Sequence, residues 1–449
     1  MKNHINKIKK IVLVGGDILV LWLALGLTLV IRYGEMFNER VWQAHFWPFV
    51  IVYAVWLLIF FIGGLYDLGA ARNSWRFYNN LFRVLFWAGA VSAALFYLVP
   101  VFGITPKTNL VLDIAIFAVL FSFWRNLFNH WAKFSRLHHR VLIIGKTKEA
   151  EELAHRLKKR PQLGYKVQKI ADLKDIKTVF HLTETIVKEK INTVVVAVRL
   201  HKNPDLVKSL YDCLPLKVCL TDLPNFYEKI TGKVPVSVIE EMWFLENLMN
   251  RQKDFYEAAK RGFDFVFGLV LFLVTAPLYP LIALAIKLNS RGSVFYSHKR
   301  VGQNGKIFDI LKFRSMVADA EKDGAQWAKK KDSRVTTIGR FLRATHLDEL
   351  PQAINILKGD ISFVGPRPER PEFAFDNNTL AKLPFYQIRH LVKPGATGWA
   401  LIKFRYSGSV EETLEKLQYD LYYIKNRSFA LDLAIILRTF KIVLSRQGR

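Results

Sequence analysis

The sequence predicts a membrane protein of the α plus α/β class. It has a bundle of four transmembrane helices (residues 1–135), a Rossmann-like cytoplasmic domain (136–250) and a third domain (251–449) entered through a re-entrant membrane helix at about 262–289. Three observations predict this. Four apolar runs of membrane-spanning length follow one another at the N-terminus, short alternating strand and helix patterns come next, and a fifth apolar run, broken by prolines, precedes a basic C-terminal stretch.

Composition agrees. At 449 residues the chain exceeds one ordinary domain, and its 51% of apolar residues gather in those runs instead of spreading through a large soluble core. The formal net charge of +27 suits anionic lipid headgroups and phosphorylated substrates. Nucleic acid is set aside as a partner, because no nucleic-acid module is present and the basic residues lie beside apolar runs. Cys213 and Cys219 are the only cysteines. Their spacing matches no zinc motif, and two thiols in so long a chain read as ordinary buried residues of a reducing compartment.

Ile11 to Ile31, Phe46 to Leu65, Leu81 to Val101 and Leu110 to Phe128 each run roughly 19 to 21 residues, enough for a helix to cross a hydrocarbon core of about 30 Å. The first is too long and uninterrupted for a signal peptide and no small-residue cleavage site follows it, so it is expected to stay in the protein. Lys2, Lys7, Lys9 and Lys10 precede the first run, Arg72 and Arg76 separate the second and third, and Lys133, Arg136 and Arg140 follow the fourth. The other two loops carry only Arg32, Arg40 and Lys107, so both ends of the bundle are expected to face the cytoplasm. Asp17 and Asp113 lie within apolar runs. An intramembrane acid is a functional candidate by default, but neither has an evident partner or motif, and an interhelical hydrogen bond is the reading adopted.

From Arg140 the pattern becomes that of a Rossmann-like α/β unit. Val141 to Gly145 reads as a buried strand, Glu149 to Lys159 as a helix, Ile191 to Val198 as a second strand and Leu216 to Leu220 as a third. Against the dinucleotide pattern G-x-G-x-x-G/A the chain has Gly145, Thr147 and Ala150. A threonine Cβ at the second position obstructs a pyrophosphate, and no acid stands at the ribose distance. No nucleotide cofactor is expected here, and a packing or dimerisation role is.

Phe263 to Ile286 is apolar over roughly 24 residues, enough to span if straight. Pro277 and Pro280 each remove a helix hydrogen bond and crowd the preceding turn, so a structural break is expected near Thr275 to Pro280. Lys253, Lys260 and Arg261 precede the run, and Lys287, Arg291, Lys299 and Arg300 follow it. Positive charge on both sides puts both ends in the cytoplasm, so the segment should dip into the membrane and return. A kinked spanning helix, the competing reading, would carry everything after Lys287 to the far side.

The chemistry is placed in Arg343 to Gly359. Leu350, Ile354 and Leu357 have helical spacing, Gly359 is a stop, and Pro351 is tolerable only in a first turn. Asp348 and Glu349 therefore stand at a helix N-terminus, where the dipole favours ionised carboxylates, with Arg340 and Arg343 just before them. Such a pair can hold a divalent cation and meet an anionic substrate. Thr345 and Asp348 also have capping-box spacing, and an acid in a first helical turn is, taken alone, more often a cap than a nucleophile.

Further motifs surround this stretch in order: Lys299 to Gly302 (KRVG), Phe308 to Met316 (FDILKFRSM), Ser362 to Pro368 (SFVGPRP), Lys393 to Trp399 (KPGATGW) and Tyr419 to Asn426 (YDLYYIKN). Together they resemble the bacterial sugar transferases, the polyisoprenyl-phosphate hexose-1-phosphate transferases of the monotopic phosphoglycosyl transferase superfamily. The resemblance covers about Tyr256 to the C-terminus. The four-helix start, the Rossmann-like middle and the junction Asn225 to Pro235 (NFYEKITGKVP) are similar to the large form of that family, which includes the undecaprenyl-phosphate galactose and glucose phosphotransferases.

The resemblance implies that a UDP-hexose gives its sugar 1-phosphate to undecaprenyl phosphate and UMP leaves. The reaction is implied at the cytoplasmic face of the bacterial inner membrane, as the priming step of O-antigen, capsule or exopolysaccharide synthesis. It maps the nucleophile, and a covalent aspartyl phospho-sugar, onto Asp348, and a magnesium ligand onto Glu349. Elementary chemistry agrees: an ionised carboxylate can attack phosphorus, the transition state is anionic, and magnesium needs few protein ligands beside phosphate oxygens and water. Arg343 would meet the substrate phosphates. Arg367, between Pro366 and Pro368, resembles the family's Pro-Arg-Pro element near the nucleotide, and its fork suits phosphate or uracil. Lys312 and Arg314 in KFRSM read as either electrostatic or structural. The partners implied are a UDP-hexose, undecaprenyl phosphate, anionic membrane lipids and a second copy of the chain.

Other positions get plainer readings. His346 reads as a satisfied or exposed histidine, since the family commonly has a small polar residue there; Ala344 stands where the family usually has a basic or polar one. Trp399 and the Tyr419 to Tyr423 cluster suit a membrane-interface belt, with core packing as the alternative. Asp420 and Asp432 are not assigned to the metal. Three rival functions are weighed. A non-catalytic scaffold that binds nucleotide sugars would be expected to have a broken dyad, an oxidoreductase or epimerase needs the glycine that Thr147 replaces, and an ordinary glycosyltransferase would release UDP. None of these motifs encodes the sugar.

Overall fold

The computed structural model describes residues 4–66, 75–98, 107–134, 139–160, 163–172, 181–198, 200, 203–249, 254–317, 320, 332–376, 380–404 and 410–444. Lys2, Arg72, Val101, Arg136 and Lys253, used above, lie outside these described residues. The chain divides into two compact units, Met1–Leu223 and Pro224–Arg449.

The first unit opens with α1 (His4–Tyr33), α2 (Glu39–Gly63), α3 (Trp75–Leu98) and α4 (Lys107–Phe134), all long and apolar enough to cross a membrane, as befits a membrane-anchored protein. Leu25, Val52, Trp56 and Phe117 interlock inside, while Ile11, Leu19, Phe82 and Val119 face outward. Between helices in lipid, close packing and buried polar pairs do the holding. Both intramembrane acids have partners. Asp17 accepts from Arg125 at 2.7 Å and from Trp124 Nε1 at 3.1 Å, and Asp113 accepts from the Tyr53 hydroxyl at 3.0 Å. The Arg125 and Asp17 side chains are 1% and 0% exposed, so breaking the pair leaves a buried charge uncompensated. Asp17→Ala is expected to cost about 3–5 kcal/mol, and adding Arg125→Leu should recover most of that. Thermal unfolding in detergent checks this: an Asp17→Ala protein that unfolds at the wild-type temperature would show that the pair does not hold α1 to α4.

The same unit continues with a parallel sheet, β1 (His139–Ile144), β2 (Tyr165–Ala171), β3 (Thr193–Val196) and β4 (Cys219–Asp222), in the order β2-β1-β3-β4. The strand expected at Leu216 to Leu220 starts later, because Leu214–Leu216 forms a 3-10 turn. Strand β2 has a weak signal in the sequence, since YKVQKIA alternates without a continuous apolar run. At the degenerate turn Gly145 has φ 107°, and a Cβ there would lie 2.5 Å from Val198, so this glycine serves a close approach. Thr147 caps the following helix, its hydroxyl accepting from the Ala150 N–H at 3.2 Å. Cys213 is buried and Cys219 half-buried, both as free thiols.

Residues 224–249 pack within the second unit. Lys425 donates to Asn225 and Glu228 at 2.7 Å, and Val234, Val236 and Trp243 share one core with Val364, Tyr386 and Leu417. In this second unit the helices Asp254–Thr275 and Leu278–Asn289 meet at a 59° bend. Pro277 stands at the N-cap of the latter (φ −61°) and Pro280 in its first turn, where a missing N–H costs nothing. An antiparallel pair, β5 (Phe295–Val301) and β6 (Ile307–Phe313), and a parallel pair, β7 (Ser362–Val364) and β8 (Gly395–Thr397), follow. Trp399 and the tyrosine cluster are core residues and form no interface belt. Trp399 stacks on Tyr422 at 5.6 Å and donates to the Gly232 carbonyl at 2.8 Å, while Tyr419 and Tyr423 are buried. Asp432 pairs with Lys260 at 2.6 Å and Asp420 with Arg389 at 3.0 Å, so both acids serve as counter-ions.

Candidate active site

Asp348 and Glu349 hang between two helices. The first, Thr337–Thr345, begins at Thr336, whose hydroxyl accepts from the Gly339 N–H at 2.9 Å, and ends at His346. His346 takes φ 58° and ψ 16°, a left-handed conformation that histidine adopts more readily than most residues and that turns the chain. A 3-10 turn, Leu347–Glu349, carries the acids, and the second helix, Gln352–Lys358, starts behind Pro351. The capping box does not form. The Thr345 hydroxyl instead turns back to the carbonyls of Phe341 and Leu342, at 2.8 and 3.2 Å.

Distant residues fix this segment. From the bent helix pair, Arg261 donates to the carbonyls of Ile356 and Leu357 at 2.7 and 2.6 Å, closing the helix end, and the Tyr279 hydroxyl donates to the Leu350 carbonyl at 3.1 Å. Gly359 follows with φ 90°, and a Cβ there would lie 3.1 Å from the Arg261 guanidinium carbon. Asn355, buried, accepts from the Leu311 N–H at 3.0 Å and donates to the Asp309 carbonyl at 2.8 Å and to Asp360 at 3.1 Å. Asn355→Ala strands a backbone donor and acceptor of β6 and is expected to cost about 2–4 kcal/mol. Its thermal midpoint in detergent should fall by several degrees, and an unchanged midpoint would remove Asn355 from the account.

Two cations converge on one oxygen. Glu349 Oε1 accepts from Lys312 Nζ at 2.7 Å and from Arg367 Nη2 at 3.3 Å. Burial pushes the Glu349 carboxyl up, but Lys312 and Arg367 outweigh it and hold it well below the usual carboxylate range, so it is ionised at any physiological pH. Burial pushes Lys312 down, opposed by Glu349. Asp348, next in line, is buried. Arg343 is half-buried on the last turn of its helix, within electrostatic reach of Asp332. Arg314 works elsewhere: its guanidinium donates to the carbonyls of Arg291 and Ser290, both at 2.8 Å, closing the end of the helix Leu278–Asn289.

The structure thus gathers Glu349, Lys312 and Arg367 beside Asp348. Asn355, Arg261 and Tyr279, which the sequence reading does not single out as site residues, hold them in place. In the sequence Asn355 shows only as a polar residue inside an apolar helix pattern and Arg261 as a basic residue before an apolar run, while Tyr279 carries no such signal. Among the described residues no cluster of three metal-ligating side chains is present. The two carboxylates on this turn are oxygen donors of the kind a hard cation such as magnesium takes, with water completing its shell.

Residues 255–446 match the family model described as bacterial sugar transferase. Over 272 residues, 56% of the chain, it is 36% identical to the UDP-N-acetylgalactosamine-undecaprenyl-phosphate N-acetylgalactosaminephosphotransferase of Aeromonas hydrophila, 63% of which is covered. It is 40% identical over 188 residues to a UDP-glucose:undecaprenyl-phosphate glucose-1-phosphate transferase of Caulobacter vibrioides, across 41% of the chain and 70% of that protein. With the undecaprenyl-phosphate galactose phosphotransferase of Salmonella typhimurium it shares 36% identity over 222 residues, 45% of the chain and 43% of that relative. The chain therefore spans less than two thirds of the Aeromonas and Salmonella relatives.

Proposed function

The chain belongs to the bacterial sugar transferase family, and on that premise we propose that it transfers sugar 1-phosphate from a UDP-sugar to undecaprenyl phosphate with release of UMP. The observation that carries this reading is the buried Asp348 beside a Glu349 kept ionised by Lys312 and Arg367, on a turn clamped from the bent helix pair. In the first step an Asp348 carboxylate oxygen attacks the sugar-bearing phosphorus. The bond to the bridging oxygen breaks, UMP leaves with that oxygen, and the sugar 1-phosphate stays on Asp348. In the second step a phosphate oxygen of the lipid attacks the same phosphorus and the Asp348 carboxylate is restored. Lys312 and Arg367 keep Glu349 charged and in place, and Arg367 and Arg343 offer positive charge to the equatorial phosphate oxygens. Magnesium, held by Glu349 together with the substrate diphosphate, would neutralise charge developing on the phosphate oxygens.

The membrane arrangement belongs to the same proposal. The bent helix pair reads as a re-entrant dip because one unit grips both of its ends, with Arg261 on the dyad helix and Ser290 on Arg314. A dip of this kind would bring the dyad to the cytoplasmic face of the bacterial inner membrane, where nucleotide sugars and the lipid phosphate meet. The parallel order of the middle sheet supports the Rossmann-like reading. The product would prime a surface polysaccharide such as O-antigen, capsule or exopolysaccharide. The relatives are named for three different sugars, so the donor is decided by assay. Membranes carrying the protein, supplied with undecaprenyl phosphate, magnesium and in turn UDP-glucose, UDP-galactose and UDP-N-acetylgalactosamine, are expected to release UMP with one of them. Release of UDP instead would identify an ordinary glycosyl transfer.

A further inference from the structure

The loop Pro366-Arg367-Pro368-Glu369 carries the Arg367 guanidinium to Glu349. Two of its four residues are prolines, which have no N–H and which restrict both their own φ and the residue before them. Such a loop is fixed through its carbonyls, and all four are taken. Pro366 O accepts from the Gly395 N–H at 2.9 Å and Glu369 O from the Val301 N–H at 3.0 Å. Between them, Arg367 O accepts from Arg389 Nη2 and Pro368 O from Arg300 Nη1, each at 2.9 Å.

Two of these four donors are guanidinium groups, and a guanidinium is costly to bury without a counter-charge. Arg389, whose side chain is 3% exposed, has Asp420 at 3.0 Å and Glu369 at 3.7 Å, and its Nη1 donates to the Tyr386 hydroxyl at 2.8 Å. Arg300 reaches the same Glu369 at 4.0 Å, and Lys416 does so at 2.7 Å. Burial pushes the Glu369 carboxyl up, yet Lys416, Arg389 and Arg300 together bring it down to about 2. The Glu369 carboxylate therefore bridges both arginines that hold the two carbonyls preceding it. On Arg389 a single Nη2 contacts both Asp420 and the Arg367 carbonyl, so the carboxylate that neutralises the guanidinium also aims it.

We propose that Arg389 is a positioning residue for the transfer: by holding the Arg367 carbonyl it aims the Arg367 guanidinium at Glu349 and at the phosphates of the bound nucleotide sugar. The proposal rests on the reading of Arg367 as a substrate-facing cation. Lysine at this position would keep the charge but could not match the planar fork that reaches Tyr386, Asp420 and the carbonyl together.

The test is a double-mutant cycle in the full-length membrane protein, with Arg389→Lys, Arg367→Ala and the pair. Arg389→Lys is expected to lower kcat/KM for UMP release on the order of 10-fold, Arg367→Ala by more, and the pair by no more than Arg367→Ala alone, within about two-fold. Effects that multiply, or an Arg389→Lys enzyme equal to wild type, would overturn the proposal. Hydrogen exchange in peptides covering residues 362–376 gives a readout that does not need turnover. It should speed up in Arg389→Lys while the unfolding temperature holds, and unchanged exchange would also overturn the proposal. If Arg389→Lys lowers the unfolding temperature, Tyr386→Phe, which takes one bond from the Arg389 guanidinium without uncovering a buried charge, takes its place in both measurements. A wild type that released no UMP would sink the functional reading, and the exchange comparison would still decide whether Arg389 holds the Arg367 loop.

Discussion

Asp348→Asn is expected to lower UMP release on the order of 10⁴-fold or more, because an amide has no ionised oxygen with which to attack phosphorus. Its stability should change far less. The Asp348 carboxylate is buried within electrostatic reach of Lys312 and Arg367, and an amide of equal size keeps its packing, so the unfolding temperature should stay within a few degrees of the wild type. This contrast separates a nucleophile from a helix cap, since losing a cap would cost stability and leave the chemistry largely intact. An Asp348→Asn protein that released UMP at the normal rate would end the assignment.

Glu349→Gln should behave differently, because this carboxylate is the common partner of Lys312 and Arg367 at 2.7 and 3.3 Å. Neutralising it leaves two cations facing each other without their counter-ion. Activity is expected to fall about 10²- to 10³-fold through misplaced phosphate contacts. The magnesium concentration for half-maximal rate should also rise, which a purely electrostatic role would not produce. The side chain is 24% exposed, so water screens part of the loss and the stability cost should be only about 1–2 kcal/mol. Titrating magnesium against UMP release separates the two roles: a variant with the wild-type magnesium dependence would keep Glu349 as a counter-ion and remove it as a ligand.

What could be read in the sequence were features encoded by local spacing. Four apolar runs gave α1 to α4, two prolines gave the break at residue 277, and Pro351 with Gly359 framed the helix behind the dyad. What could not be read depended on partners far along the chain. The partner of Asp17, Arg125, is 108 residues away, and the bonds of Asn355 go to β6, so neither pairing is written in local spacing. Lys312 and Arg314 share a motif and a two-residue spacing that would put both on one strand face. The strand ends at Phe313, so the alternation stops and Arg314 turns to a helix end instead. The Trp399 and tyrosine cluster misleads for a related reason: amphipathic rings suit an interface and a core equally, and here Gly232 and Tyr422 supply core partners.

The central claim is a two-step transfer through Asp348, and the direct measurement is to give the wild-type protein a UDP-sugar labelled in the sugar-bearing phosphate, without any lipid acceptor, and map the label by peptide mass. The account predicts UMP release no greater than one per chain, with the sugar 1-phosphate retained on the peptide containing Asp348. UMP released only when undecaprenyl phosphate is added, with no label on the protein at any time, would contradict it.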